Sequence, residues 1–117
     1  MILPDYFAHL DGPDPMGGLR LVAPDVRYLI ALPDRALEGN GRPDLAGYIG
    51  GRGVEGLGRV HRVLASAATD NVEFHYGAVE EHGTRIGMFL GAVRTTPEGQ
   101  FDRYLNLFQT RVPLLGD

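Results

Sequence analysis

Four strand-like segments joined by short turns fill the second half of the 117-residue chain and restrict its fold more than any other feature. Each segment contains β-branched or aromatic residues, and the intervening turns carry the polar residues and glycine that are typical of hairpins. Consecutive hairpins of this length produce an antiparallel meander. The predicted strands are Val60–Ala67, Val72–Glu80, Ile86–Thr95 and Phe101–Gln109.

The first half of the chain predicts short helices and one strand. Helical spacing of apolar residues predicts helices over Asp5–Leu10, Met16–Ala23 and Asp44–Ile49. A β-like run that ends at a proline predicts a strand over Val26–Leu32. The polar stretch Asp34–Arg42 predicts a flexible connection. Helices followed by an antiparallel meander are typical of the α+β class, in which the helices cover one face of the sheet.

Length and composition exclude several classes of function. A chain of this length predicts one domain over residues 1–117. The absence of cysteine excludes disulfides and cysteine-rich zinc sites and suits a cytoplasmic location. The net charge of −4, without a basic stripe, argues against nucleic acid as a partner. The sequence shows neither a signal peptide nor an apolar run of membrane-spanning length, so we expect no membrane association.

A glycine-rich string from Gly51 to Gly56 matches the literal GxGxxG pattern. The dinucleotide-binding fingerprint requires a strand before this pattern and a helix after it. Here a predicted helix precedes the string and a predicted strand follows it. We therefore interpret the string as a flexible connection at the mouth of the domain and expect no cofactor.

The order of these elements resembles the nuclear transport factor 2-like superfamily and, within it, the SnoaL-like small proteins. The resemblance extends over nearly the whole chain and is carried by the order and spacing of several segments. These segments are YFAHLDGPDPMGGLRLVAPDVRYLIALP, GRPDLAGYI, VHRVLASAATDNVEFHY and AVRTTPEGQFDRYLNLFQ. The resemblance implies a cystatin-like cone, in which a curved antiparallel sheet and short helices on its concave face enclose an apolar pocket.

The resemblance also implies a homodimer formed through the outer face of the sheet. The third predicted strand is apolar on both faces, and a large exposed apolar face is a liability that a partner subunit would cover. The outer face is predicted to carry Val60, Leu64, Phe74, Met88, Leu90, Leu105 and Leu107.

Strand alternation assigns the pocket face once one residue is fixed. We place His61 inward, as the resemblance to the dehydratases of the superfamily suggests, and Val63 and Ala65 then share its face. This assignment of the pocket face depends on the pairing register of each strand, because a one-residue slip exchanges the two faces. The same comparison predicts that substrate contacts are made by His75, Tyr104, Asn106, Phe89, Phe108 and Glu73.

The resemblance to the dehydratases singles out Tyr6, Asp11 and His61 as a catalytic set. A carboxylate that accepts a hydrogen bond from one imidazole nitrogen fixes the tautomer, and the other nitrogen can then move a proton next to a carbonyl. A tyrosine hydroxyl can stabilise the resulting enolate. The structural alternative is that Asp11 caps a turn, Tyr6 packs on its helix and His61 is a hydrogen-bonded histidine of the sheet.

Two other activities of the superfamily lack their residues in this chain. Tyr6 matches the oxyanion-hole tyrosine of the ketosteroid isomerases, but their base position falls near Ile30–Leu32 and their second acid falls at Gly91. The arginine and two aspartates of the epoxide hydrolases map to Glu73, His75 and Asn106.

A metal centre built from His61, His75 and Glu73 would have suitable ligand types. Histidines on adjacent strands are common for other reasons, and we predict no metal. The sequence favours a cofactor-free proton-transfer enzyme that dehydrates, isomerises or cyclises a hydrophobic carbonyl compound. The alternatives are a non-catalytic protein that binds a hydrophobic small molecule and a purely structural dimeric module.

Overall fold

The computed structural model describes residues 1–52 and 58–115 and has α+β architecture. Six strands form one curved, open sheet in the order β2-β1-β6-β5-β4-β3, and short helices accompany it. The helices are α1 (Ile2–Leu10), a 3₁₀ helix (Pro15–Leu21) and α2 (Arg42–Gly51). The strands are β1 (Val22–Ala31), β2 (Ala36–Asn40), β3 (Arg59–Thr69), β4 (Val72–Glu81), β5 (Thr84–Thr95) and β6 (Phe101–Gln109).

The four predicted strands of the meander are β3 to β6, each within a few residues of its predicted ends. Their neighbours pair antiparallel, as consecutive hairpins require. β1 pairs parallel with β6 and antiparallel with β2, which places the N-terminal strands at one edge of the meander. The predicted α+β fold class is therefore confirmed.

Two predictions for the first half of the chain are wrong in detail. The predicted helix over Met16–Ala23 is a 3₁₀ helix that ends at Leu21, and β1 begins at Val22 rather than Val26. The register between β1 and β6 shifts between Val22 and Arg27. Such an irregularity accommodates Pro24, which has no N–H to donate to a ladder.

The segment predicted as a flexible connection, Asp34–Arg42, instead contains strand β2. Its burial alternates between exposed and half-buried residues, so only Leu37 and Gly39 turn partly inward. A strand with one solvated face and so few apolar residues resembles a loop in sequence. Gly41 follows with φ +91°, a left-handed conformation that favours glycine, and turns the chain into α2.

The core lies between α1 and the concave face of the sheet. Leu3, Tyr6, Phe7 and Leu10 form the buried stripe of α1, at the spacing of one helical face. Tyr6 meets the edge of Phe101 at a ring-centroid distance of 5.3 Å, and Phe7 meets Phe89 at 5.2 Å. These contacts fix the helix over the sheet.

A β-bulge in β3 changes part of the predicted pocket face. Val63 pairs with Gly77, but the next paired residue is Ala65, which pairs with Tyr76. The extra residue reverses the alternation, so Ser66 rather than Ala65 shares the face of His75. The inward placement of Ala65 is therefore wrong, because the pairing is not regular along β3.

One residue of the predicted outer face is not exposed. Met88 is only 3% exposed, whereas the other predicted members of that face are 38–48% exposed. The C-terminal segment returns to this face, where the backbone N–H of Leu114 donates to Tyr76 Oη at 2.7 Å. Pro113 and Met88 line the same surface depression. Met88 is thus covered by the chain's own tail.

Most of the glycine-rich string from Gly51 to Gly56 lies outside the described residues. α2 precedes it and β3 follows it, an order opposite to that of a dinucleotide-binding turn. In residues 1–52 and 58–115, no helix is both long enough and apolar enough to cross a membrane.

Candidate active site

A cavity of about 140 Å³ lies between the helices and the concave face of the sheet. Its polar side chains come from several elements: Tyr6 from α1, Tyr48 from α2, and Tyr104 and Asn106 from β6. Strand β3 adds Arg59 and His61, and Arg52 follows α2. Its apolar wall includes Leu10, Ile30, Val79, Ile86, Phe89 and Phe108.

The predicted partners His61 and Asp11 form a hydrogen-bonded pair. Asp11 is the C-cap of α1, and its Oδ2 accepts a hydrogen bond from the backbone N–H of His61 at 2.7 Å. The Nδ1 atom of His61 lies 3.0 Å from each carboxylate oxygen. The side chains of His61 and Asp11 are 11% and 8% exposed. A carboxylate at Nδ1 favours the tautomer in which Nδ1 carries the proton and Nε2 is free to accept one.

Aromatic rings hold the imidazole of His61 in place. The ring stacks on Phe7 at a centroid distance of 4.2 Å with planes 7° apart. Phe89 contacts it edge-on at 5.2 Å. Two apolar contacts and a carboxylate leave the imidazole little rotational freedom, which is the kind of positioning that acid–base chemistry requires.

Tyr6, the third predicted catalytic residue, is buried and lines the same cavity. Burial raises the pKa of its hydroxyl well above 10, and the nearby Arg52 guanidinium lowers it only in part. The phenol is therefore a neutral donor at physiological pH. Within residues 1–52 and 58–115 its hydroxyl has no hydrogen-bond partner, so it is available to a ligand.

Tyr104 and Asn106 form a second polar pair on β6. The Nδ2 group of Asn106 donates to Tyr104 Oη at 3.0 Å, and burial raises the pKa of Tyr104. The Oδ1 atom of Asn106 is buried without a hydrogen-bond partner in the part of the chain that the structure describes. An unsatisfied amide oxygen is costly in a protein interior, and a hydrogen-bond donor from a ligand or a water molecule would satisfy it.

Glu73 and His75, which were predicted to contact substrate, do not line this cavity. Both are buried, and Glu73 accepts hydrogen bonds from the backbone N–H groups of Ile2 at 2.9 Å and Leu3 at 3.2 Å. His75 Nε2 lies 2.8 Å from Glu73, and His75 Nδ1 lies 2.7 Å from Ser66 Oγ. The structure therefore places these two residues in a network that anchors the start of α1.

The other predicted substrate contacts, Phe89, Phe108, Tyr104 and Asn106, all line the cavity. The sequence reasoning missed Tyr48, Arg52 and Arg59. Arg59 lies two residues before His61 on β3, so strand alternation would have placed both on one face. Tyr48 and Arg52 are four residues apart, a spacing that puts side chains on the same side of a helix.

His61 and His75 belong to separate networks. His61 pairs with Asp11, whereas His75 pairs with Glu73 and Ser66. Within the described ranges no three histidine or acidic side chains are grouped as metal ligands would be.

Comparison with known proteins assigns the fold. No protein-family model and no curated protein matches the chain. Among solved structures, a candidate isomerase of the SnoaL-like family from Agrobacterium tumefaciens is 17% identical, with 92% of this chain and 94% of that chain covered and a TM-score of 0.78. A candidate ketosteroid isomerase from Kribbella flavida is 20% identical, covering 98% of this chain and 81% of that one, with a TM-score of 0.72.

The same fold also occurs in a protein described by its association with another. The yeast UBP3-associated protein BRE5 is 12% identical, with 93% and 92% of the two chains covered and a TM-score of 0.77. Structural similarity at these sequence identities establishes the fold only. The activity has to be inferred from the residues of the site. The chain therefore has the NTF2-like, SnoaL-like cone fold, as predicted, and proteins named as isomerases share it.

Proposed function

We propose that this protein is a SnoaL-like enzyme that moves a proton next to the carbonyl group of a small, mostly apolar compound without a cofactor. The observation that carries the proposal is the His61–Asp11 pair at the wall of the cavity, with Nδ1 held 3.0 Å from the carboxylate. Dehydration, isomerisation and cyclisation all begin with such a proton transfer, and the residues support this shared step.

Each of the three residues has a role that follows from its environment. The free Nε2 atom of His61 takes a proton from the carbon beside the carbonyl, and Asp11 stabilises the imidazolium that forms. Tyr6 donates its hydroxyl proton in a hydrogen bond to the enolate oxygen, as a neutral phenol can. His61 then returns the proton to a leaving hydroxyl in a dehydration, or to another carbon in an isomerisation.

The volume of the cavity limits the reacting part of the substrate. Engineered apolar cavities of about 150 Å³ bind benzene, whereas pockets for drug-sized ligands begin near about 300 Å³. The 140 Å³ here suits a reacting group of about one ring. The tyrosine hydroxyls and Asn106 orient that group within an otherwise apolar wall.

A non-catalytic binding protein is the second candidate. The unpartnered Asn106 Oδ1 favours it, because a ligand that donates a hydrogen bond would satisfy the amide whether or not it reacts. The carboxylates that the isomerase and hydrolase reactions use are also absent from the corresponding positions, Gly91 and Asn106.

Exchange of the protons beside a carbonyl distinguishes the two candidates. Small one-ring ketones are incubated with the protein in heavy water, and deuterium uptake is followed by NMR. We expect His61→Gln to lower the protein-dependent exchange rate by about 100-fold or more, since a positioned general base contributes that much. His9→Gln is the matched control, because His9 lies on the same helix as Tyr6, pairs with Arg20 and does not line the cavity among the described residues. Equal rates for His61→Gln and the wild type would contradict catalysis and favour simple binding.

A further inference from the structure

A second hollow adjoins the cavity and shares part of its wall. This vestibule has a volume of about 270 Å³ and has Leu32, Tyr48, Arg52 and Arg59 in common with the cavity. Arg35, in the connection between β1 and β2, lines the vestibule but not the cavity. Because four residues line both spaces, the vestibule lies directly beside the cavity.

The vestibule concentrates positive charge in an acidic protein. The chain has a net charge of −4, yet three arginines and no aspartate or glutamate are found among the described residues that line the vestibule. The described lining of the cavity also contains no aspartate or glutamate, and it includes two of these arginines, Arg52 and Arg59. Surface charges of a stable domain are usually interspersed, so a one-signed group at the entrance of a site indicates an oppositely charged ligand.

Two of the three guanidinium groups have no carboxylate partner within residues 1–52 and 58–115. Arg59 Nε lies 3.0 Å from Glu81, so its charge is partly balanced by the protein. Arg35 and Arg52 form no such pair with a described residue. Arg52 is half-buried and lines the cavity together with Tyr6 and Tyr104. Arg52 is thus the cation best placed to bind a charged group of a ligand whose other end lies in the cavity.

We propose that the substrate is a small carbonyl compound that bears an anionic group, a carboxylate or a phosphate, which Arg52 binds in the vestibule with Arg35 and Arg59. This inference rests on the proposed function for the reacting end of the molecule and adds the chemistry of the other end. The carbonyl and its apolar surroundings occupy the cavity next to His61 and Tyr6. A guanidinium can pair with either anion through two parallel hydrogen bonds.

Matched neutral and anionic probes test this assignment by binding alone. Phenylpyruvate and its methyl ester have the same ring and ketone and differ in charge. By titration calorimetry at low salt, we expect the wild type to bind phenylpyruvate about fivefold more tightly than the ester. Arg52→Gln should remove most of this preference, and added salt should reduce it. Phenyl phosphate is the third probe, and weaker binding of it by Arg52→Gln than by the wild type would show that the site also accepts a phosphate.

Arg111→Gln is the control, because it removes the same charge from the exposed C-terminal segment. Equal weakening by Arg52→Gln and Arg111→Gln would overturn the assignment, as would equal binding of acid and ester or no binding of any probe. The acid–ester preference is a ratio of two binding constants, so it is measured independently of catalysis. If His61→Gln leaves proton exchange unchanged while the anion preference holds, the proposed function fails and the anion site stands. If proton exchange depends on His61 and the anion preference is absent, the proposed function stands and the anion site fails.

Discussion

At the scale of single residues, the site depends on one short segment that ends α1. Asp11 closes the helix, and its carboxylate accepts from both the backbone N–H and the ring of His61, fifty residues further along the chain. The carboxylate therefore positions the strand and the imidazole at once. A purely structural cap would need only the first of these bonds, so the ring contact is the part that a catalytic role requires.

Asp11→Asn separates these two contributions. An asparagine can still accept from the His61 backbone, but its amide group donates to Nδ1 and favours the tautomer with the proton on Nε2. We expect proton exchange to fall by about 100-fold or more, as changes at a histidine-orienting aspartate do, with little change in stability. The ¹⁵N shifts of His61, measured by NMR, report the tautomer directly. An unchanged tautomer and rate would contradict the proposed role of Asp11.

At the scale of elements, the sheet holds α1 at both of its ends. Asp11 binds His61 on β3 at the C-terminal end, and Glu73 on β4 accepts from the Ile2 and Leu3 N–H groups at the N-terminal end. The first N–H groups of a helix have no partner within it, and a carboxylate there satisfies them and complements the helix dipole. Tyr6 lies between these anchors, so the helix position that brings Tyr6 to the cavity is set by the sheet.

Glu73→Gln should therefore weaken the anchoring of α1. Burial opposes ionisation of Glu73, but hydrogen bonds from Ile2, His75 and Leu3 outweigh it and lower the pKa of the carboxyl. We expect a loss of about 1–3 kcal/mol in the free energy of unfolding, measured by urea denaturation at neutral pH. Glu98→Gln in the exposed β5–β6 turn is the control and should change stability little.

The pH dependence of this loss follows from the lowered pKa. A carboxyl whose pKa is lower in the folded state stabilises the protein above its unfolded pKa of about 4.3, and the contribution is lost as the pH falls through the folded pKa. The difference between the wild type and Glu73→Gln should thus be largest near neutral pH and shrink in acid. A difference that stays constant down to the acid transition would contradict an ionised Glu73.

At the scale of the whole molecule, the outer face of the sheet exposes several large apolar side chains to solvent. Leu90, Leu105 and Leu107 lie on the central strands β5 and β6, and each is 42–48% exposed. Leu90 pairs with Leu107 across the two strands, so these side chains form a continuous apolar surface. A two-fold axis would pack this apolar patch against the same patch of a second copy. We propose that a second copy of the chain covers it.

Leu105→Glu tests this homodimer. We expect the wild type to elute as a dimer in size-exclusion chromatography with light scattering, and the variant to elute as a monomer, because a buried carboxylate at the interface would be unpaired. Gly47→Glu adds the same charge on α2, at an exposed position where an added Cβ meets nothing within 4 Å, and should leave the dimer intact. A monomeric wild type would exclude this interface.

The meander was predictable because it depends on patterns between residues that are close together in the sequence. Short turns with suitable residues fix which strands are neighbours, and alternation then places Phe89, Tyr104, Asn106 and Phe108 on one face. The bulge that turns Ser66 inward depends on how β3 bends against β4, and no residue in the sequence marks it. β2 was missed for a similar reason, since its polar residues are stabilised by backbone pairing with β1.

The sequence by itself determined the α+β class, the strand order of the meander and the candidate residues Tyr6, Asp11 and His61, because each depends on short-range pattern or on a family resemblance. The tertiary structure places His61 beside Asp11, as the family resemblance implied. Only the tertiary structure decided that Glu73 and His75 lie outside the cavity and anchor α1, and that Arg52 and Arg59 line the cavity wall. Contacts between residues far apart in the chain depend on how the helices pack on the curved sheet. Alternation along a single strand predicts only which face of the sheet a side chain occupies.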